Sequence, residues 1–381
     1  MSALIPQIPA HADVSRAVRS LRSESHPIVL GYHPVARMNP FQSLLYRNAY
    51  DQGFAAVPLV GLDEIPSLRT ATSMGALPVL HIHWTADVLR SAGSTHEARA
   101  AKDRYLGVLE SMRSEGVRLV WTVHNVLPHG CPHPGVEAEL RASLASMCDV
   151  VHIMNPRTMD FTADHYPIPD DRVMSVPHPS YNGAYPKHFE KRMVRFEIGF
   201  EPSDLVVGIL GSIQPYKGIG RFLDALETAR LKEPRLRGLV AGIPGGDVGS
   251  VELIQRLERD ETVLSVPRRL DDTTLSRLLT ALDLLVLPYD ASLNSGAALL
   301  GLAFGRPILA PRVGQFDVLE SLGLCVVYDP SDPGALASSL GEASAIVAEH
   351  DPGRAAGYCA ASDATIVSTA FFQGLRERIS P

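Results

Sequence analysis

Two stretches in the second half of the chain carry residues suited to meeting an anion. In the first, the apolar run Val206-Val207-Gly208-Ile209-Leu210 ends in Gly211-Ser212, and after Ile213-Gln214-Pro215-Tyr216 come Lys217 and Gly218. A helical pattern follows, with Phe222, Leu223, Ala225 and Leu226 at its apolar positions. A lysine at a helix start opposes the helix dipole, so it suits a place where an anion will face it. In the second stretch, the apolar run Leu284 to Leu287 leads through Pro288-Tyr289-Asp290 to Asn294-Ser295-Gly296, then a small-residue helix to Phe304 and a second apolar run from Pro307. A strand that opens through a Ser-Gly turn into a helix presents backbone N–H groups and the positive end of the dipole, which together make a phosphate seat. Gly296 lets the backbone approach a ligand, and Asn294 and Ser295 add side-chain donors. The plainer alternative is a serine that only caps its helix; the matching lysine loop upstream favours the anion.

Groups that could move a proton cluster in the first half, at the ends of apolar runs. One run ends in His81-Ile82-His83-Trp84 with Asp87 just beyond, and another in Thr122-Val123-His124-Asn125 with Pro128-His129 after it. Strand alternation puts His81 and His83 on one face and carries His83 past the sheet edge. One strand-end histidine is ordinarily structural, but two at adjacent edges, with Asp87 near, are candidates for acid and base work. No Asp-x-Asp pair is present to hold a divalent cation. His129, Cys131 and His133 lie in a Pro/Gly loop without a fourth close ligand, so no metal site is expected.

These residues need elements to place them. A chain of 381 residues suits two domains, and 45% hydrophobic with 20% charged residues describes a folded globular protein. The net charge of −7, with no basic block, argues against a nucleic-acid partner. Cys131, Cys148, Cys325 and Cys359 show no paired spacing and suit reduced thiols. No run reaches membrane-spanning length, and Met1 to Ala12 lacks the pattern of a signal peptide, so a cytoplasmic protein is expected. Residues 32–50 read either as an amphipathic surface helix able to touch a membrane or as a helix packed on its own sheet.

Strand and helix patterns alternate throughout, the signature of parallel sheets. Strands are expected at Ile28–Tyr32, Ala55–Leu59, Pro78–His83, Leu119–His124, Val150–Met154 and Val173–Val176. A break follows at Pro177-His178-Pro179. A second set falls near Val206–Leu210, Leu239–Ala241, Thr262–Val266, Leu284–Leu287, Pro307–Ala310 and Cys325–Tyr328. Helices are expected at Pro40–Gln52, Ala98–Ser114, Val136–Met147, Arg157–His165, Pro333–His350 and Asp363–Ile379. Two doubly wound α/β domains fit this pattern.

The run Gly211 to Lys217-Gly218, with the later Ser-Gly helix start, resembles the C-terminal half of GT-B glycosyltransferases of the group 1, glycogen-synthase-like type, and His124-Asn125 resembles the first-domain signature of bacterial members that build exopolysaccharides and other glycans. The resemblance implies two Rossmann-like domains facing a central cleft. An acceptor-binding domain would span residues 1–180, a nucleotide-sugar domain 181–360, and a last helix, 361–381, would cross back to the first. It implies a sugar moved from a GDP- or UDP-linked donor to a hydroxyl of a glycan, a lipid-linked or a small-molecule acceptor, without a metal or other cofactor and with peripheral membrane contact open. Gly211, Ser212, Lys217, Tyr289, Asn294, Ser295 and Gly296 would form the donor site, and Arg268, after another strand, would either lie near the base or stand in solvent. His124, with His83 and Asp87 as alternatives, would take the acceptor's proton. One departure stands out: many retaining relatives place two glutamates eight positions apart, where this chain has Ser292 and Leu300. The stereochemistry is therefore not inherited from them, and the Ser-Gly helix start points toward inversion. Other readings are a GT-B sugar-nucleotide epimerase or hydrolase and a catalytically silent GT-B scaffold. A nicotinamide enzyme is disfavoured, because no Gly-x-Gly-x-x-Gly follows the first strand of either half.

Overall fold

The computed structural model describes residues 9–36, 38–128 and 130–379. The chain divides into two compact units, Met1–Pro179 with Ala364–Pro381, and Ser180–Asp363.

The first unit is built on β1 (Ile28–His33), β2 (Phe54–Pro58), β3 (Leu77–Ile82), β4 (Arg118–Thr122), β5 (Val150–Ile153) and β6 (Val173–Ser175). All pair in parallel, in the order β2-β1-β3-β4-β5-β6. Helices on both faces explain why the inner strands read as nearly unbroken apolar runs. One face carries Val79, Val120, Val150 and Met174, and against it packs the helix Ala364–Ile379 through Val367, Phe371, Phe372 and Leu375. Each buried phenylalanine contributes about 2 kcal/mol from area removed from water.

The second unit holds β7 (Leu205–Leu210), β8 (Leu236–Ala241), β9 (Val263–Val266), β10 (Leu284–Val286), β11 (Ile308–Pro311) and β12 (Val326–Tyr328). Its parallel order is β12-β11-β10-β7-β8-β9. Each sheet reverses direction once, between β1 and β3 in one unit and between β7 and β10 in the other. In open α/β sheets the crevice outside the carboxyl ends at such a reversal is where ligands bind.

All twelve expected strands are present, within about three residues at their ends. Two long helices are not. Pro40–Gln52 is a short helix, Phe41–Leu45, then tight turns and a 3-10 turn at Tyr50–Gln52. The cause is distant in sequence: the Asn48 N–H donates to Ser368 Oγ at 2.9 Å instead of to its own helix, and Asn48 Nδ2 donates to Thr369 Oγ1 at 3.0 Å. Phe41, Leu44 and Leu45 are buried, so this segment packs on its own sheet rather than presenting an apolar surface face. Pro333–His350 is likewise two helices, Ala335–Gly341 and Ala343–Glu349. They are broken at Glu342, whose N–H turns back to the Ser339 carbonyl. Among the described residues no helix is long and apolar enough to cross a membrane. Residues 1–8 of the expected leaderless start lie outside the described residues.

Candidate functional site

In the first unit, polar side chains on one face of an otherwise apolar sheet are joined in a line. His152 on β5 sets Nε2 2.9 Å from the Val176 carbonyl and Nδ1 2.9 Å from Thr122 Oγ1 on β4. Thr122 and His152 are register partners. The Thr122 hydroxyl lies 2.7 Å from His81 Nε2 on β3, and His81 Nδ1 lies 2.8 Å from the Tyr46 hydroxyl. That hydroxyl is 2.6 Å from His83 Nε2, and His83 Nδ1 is 3.1 Å from His124 Nε2. Phe371 stacks on His81, Trp84 stacks on His124 with centroids 4.1 Å apart, and Phe41 meets His124 and His178. His81, His83, Thr122 and His152 are sealed from solvent, whereas His124 is half-buried. Among the described residues, His124 is the outermost ring of the line.

Burial pushes these imidazoles well below their ordinary range. For His81, His83 and His124 neighbouring rings push the same way, and Arg141 adds to the effect on His124. Burial takes His152 down to about 4 against the opposing bond to the Val176 carbonyl, and His178 to about 4 against its bond to the Pro179 carbonyl. The rings are neutral at pH 7, each with one protonated and one proton-accepting nitrogen.

A buried ion pair ties down the loops that carry His83 and His124. Arg141 Nε donates to Glu137 Oε1 at 2.9 Å, Nη2 to Thr85 Oγ1 at 3.0 Å and Nη1 to the Asn125 carbonyl at 2.7 Å. Thr85 follows β3 and Asn125 follows β4, so one guanidinium fork spans both. Asp87 is separate. Its exposed carboxylate pairs with Arg90 at 2.8 Å, and the hydrogen bonds of the imidazole line do not reach it.

In the second unit, the loops after β7 and β10 interlock at the sheet reversal. Gly218 has φ 69°, and a Cβ there would lie 1.9 Å from the Pro288 carbonyl oxygen, so only glycine permits the approach. Arg221 Nη2 donates to that oxygen at 2.7 Å, and the Asp290 N–H donates to the Tyr216 carbonyl at 3.2 Å. This brings Lys217 Nζ to 3.8 Å from the centroid of the buried Tyr289 ring and 5.2 Å from that of Tyr216. Two aromatic faces hold the ammonium, and among the described residues no carboxylate forms an ion pair with it. Burial lowers the basicity of Lys217, partly offset by Tyr216. Gly211 and Ser212 close β7 beside Gly242, where a Cβ would sit 1.4 Å from the Gly211 carbonyl oxygen.

Ser295 caps the helix Gly296–Ala303 by accepting from Ala298 N–H at 3.2 Å, while its own N–H donates to Gln315 Oε1. Gly296 lies against the Tyr181 hydroxyl, which a Cβ would approach to 2.9 Å. Asn294 precedes the cap and is half-buried. Arg268, after β9, is exposed, as is Arg269. The Ser292 carbonyl accepts from Gln315 N–H, and Gly314 packs onto that carbonyl.

The expected anion-holding residues therefore lie on two loops that interlock, except Arg268 on a third. Sequence reading named His83 and His124 but missed that Tyr46, His81, Thr122 and His152 connect to them. The available signal was polar residues inside apolar parallel strands, where each needs a partner. His129 lies outside the described residues; among the described residues no group of three or more His, Cys, Asp or Glu could hold a metal ion. The four cysteines are free thiols.

Residues 204–345 match the family model described as glycosyl transferases group 1. The chain is 27% identical over 284 residues to a GDP-mannose:glycolipid 4-beta-D-mannosyltransferase of Xanthomonas campestris pv. campestris, covering 73% of this chain and 71% of that one. It is 27% identical over 281 residues to a D-inositol 3-phosphate glycosyltransferase of Segniliparus rotundus, covering 69% of this chain and 60% of that one. Among solved structures, Anabaena HepE in complex with UDP and glucose superposes with a TM-score of 0.67 at 13% identity, over 92% of this chain and 100% of that one. A sucrose-phosphate synthase from Thermosynechococcus elongatus does so with a TM-score of 0.67 at 14% identity, over 92% and 98%.

Proposed function

We propose that this chain, a group 1 glycosyltransferase of the GT-B fold, moves a sugar from a GDP- or UDP-linked donor to a hydroxyl of a glycan or glycolipid acceptor, with inversion and without a metal. The observation that carries the donor half is Lys217, an ammonium held between aromatic faces at the sheet reversal with no carboxylate paired to it among the described residues. A cation placed so is complementary to a diphosphate, and the Ser295-capped helix start adds a second positive end on the neighbouring strand's loop. A nucleotide-sugar donor and a glycolipid acceptor are also what the Xanthomonas relative's name describes for that protein.

In the proposed reaction the acceptor O–H bond breaks, its proton passes to the His124 imidazole, and the oxygen bonds to the anomeric carbon. The bond from that carbon to the diphosphate oxygen breaks, and the diphosphate leaves with the electron pair, met by Lys217 and the helix amides. Its lowered basicity keeps the His124 ring in the unprotonated, proton-accepting form at neutral pH. Inversion is supported by the Ser295-Gly296 helix start; Ser292 and Leu300, standing where many retaining relatives carry glutamates, mean only that the stereochemistry is not inherited from those relatives.

The test is thermal stabilisation by GDP, UDP, ADP and TDP sugars, then turnover of the stabilising donor with and without glycolipid acceptor. Stabilisation by GDP or UDP sugars and acceptor-dependent release of the nucleotide are expected. Turnover equal without acceptor would make the protein a hydrolase or epimerase, and no stabilisation by any of the four would remove the donor reading.

A further inference from the structure

We propose that Tyr46, His81, Thr122 and His152 form a tautomer lock that keeps the proton of His124 on Nε2 and makes Nδ1 its proton-accepting nitrogen. The lock stands on the hydrogen bonds alone; only its consequence for catalysis rests on reading His124 as the group that takes the acceptor's proton. The direction of every bond in the line is set at its buried end, because a backbone carbonyl can only accept. His152 Nε2, 2.9 Å from the Val176 oxygen, must carry a proton. In the neutral ring Nδ1 then accepts, so the Thr122 hydroxyl donates its single proton there. With that proton committed, Thr122 Oγ1 can only accept from His81, which is therefore protonated on Nε2 and bare on Nδ1. The Tyr46 hydroxyl donates to His81 Nδ1 and is left to accept from His83 Nε2–H. His83 Nδ1, bare in turn, accepts from His124 Nε2–H. Six groups and one carbonyl leave a single consistent assignment.

The same assignment decides where an added proton goes. A proton on His124 Nδ1 leaves every bond in the line as it was. A proton on His83, His81 or His152 requires each bond between that ring and His124 to reverse, and puts a charge on a ring sealed from solvent. Among the described residues, the groups facing His124 include His83, His178, Trp84, Phe41 and, more distantly, His81, His152 and the Arg141 fork held by Glu137. The outer ring is the one that can charge, and the interior rings are positioning residues that act through it.

The full chain with 15N-labelled histidine is examined by long-range 1H–15N correlation, which separates Nε2–H from Nδ1–H rings. His81, His83, His124 and His152 are expected as Nε2–H tautomers at neutral pH, and on acidification the first new proton of the line is expected on His124 Nδ1. An Nδ1–H signal from neutral His124, or first protonation at an interior ring, would overturn the lock. Thr122→Val severs the line from its carbonyl anchor, so His124 is expected to become a tautomer mixture with turnover down by about tenfold or more, and Thr122→Ser is expected to restore both. Unchanged His124 nitrogen shifts in the valine variant would also overturn it. Should Thr122→Val not fold, Tyr46→Phe cuts between His81 and His83 with the same readout. The two readings fail separately: locked tautomers with turnover unaffected by His124→Ala would spare the lock and remove the base, and the reverse pattern would do the opposite.

Discussion

Lys217 and His124 are assigned to different halves of one reaction, so their removal should show in different constants. Lys217→Ala deletes a cation from the proposed diphosphate seat, a loss on the order of 1.5–3 kcal/mol for a charged hydrogen-bonding group, or about 10- to 100-fold in donor affinity. His124→Ala removes the proposed proton acceptor and should lower kcat by about 10²- to 10⁴-fold, with nucleotide affinity held within about twofold. Calorimetric titration of the nucleotide and steady-state kinetics on both variants separate the effects, and an unchanged donor affinity in Lys217→Ala would end its assigned role. At this scale the sequence revealed residue types and strand ends. His81 and His83 fall on one face as alternation requires, and both rings reach the same Tyr46 hydroxyl. What it could not reveal was Tyr46 itself, or the stacking of Lys217 on Tyr289 72 positions later, since such partners are set by which strands become neighbours.

Among elements, the strands were legible because both faces of a parallel sheet are covered, which leaves a continuous apolar run such as Leu205–Leu210 with all six residues buried. The helices that misread did so for non-local reasons. Asn48 gives its N–H to Ser368, 320 positions away, and no periodicity within Pro40–Gln52 contains that information. The sequence places Gly218 directly after Lys217, and the structure adds what that glycine permits. At Gly218 a left-handed backbone coincides with a carbonyl contact that admits no Cβ, joining the β7 and β10 loops at the residue after Lys217. Gly218→Ala should therefore cost about 1–3 kcal/mol of backbone strain, seen as a lowered urea midpoint, and should weaken nucleotide binding because the loop must move. A variant as stable as the parent with full donor affinity would show that the two loops separate readily, and that Lys217 is held by something other than their junction.

For the whole molecule, the imidazole cluster makes acid stability unequal between the two units. Only His188 and His350 of the fourteen histidines lie in the second unit, and the buried line belongs entirely to the first. In the unfolded chain these rings protonate near pH 6.5. In the folded chain burial holds His152 and His178 down at about 4, and His81, His83 and His124 also below their ordinary range. Between those limits the unfolded state binds more protons, so stability rises with pH there: it is complete above about pH 6.5 and is lost as pH falls toward 4. Each such proton gives a slope of about 1.4 kcal/mol per pH unit, and from two to five are expected near pH 5 to 5.5. Carboxylates enter mainly below that window; Glu233, paired with Arg235, is held down at about 2. Both tryptophans, Trp84 and Trp121, are in the first unit, so their fluorescence reports on it selectively. As pH is lowered from 7 to 5, the fluorescence-detected urea transition should shift to lower denaturant and separate from the circular-dichroism transition of the whole chain. Uptake of less than one proton on unfolding the first unit near pH 5 would mean that the histidines titrate almost as freely inside the fold as outside it.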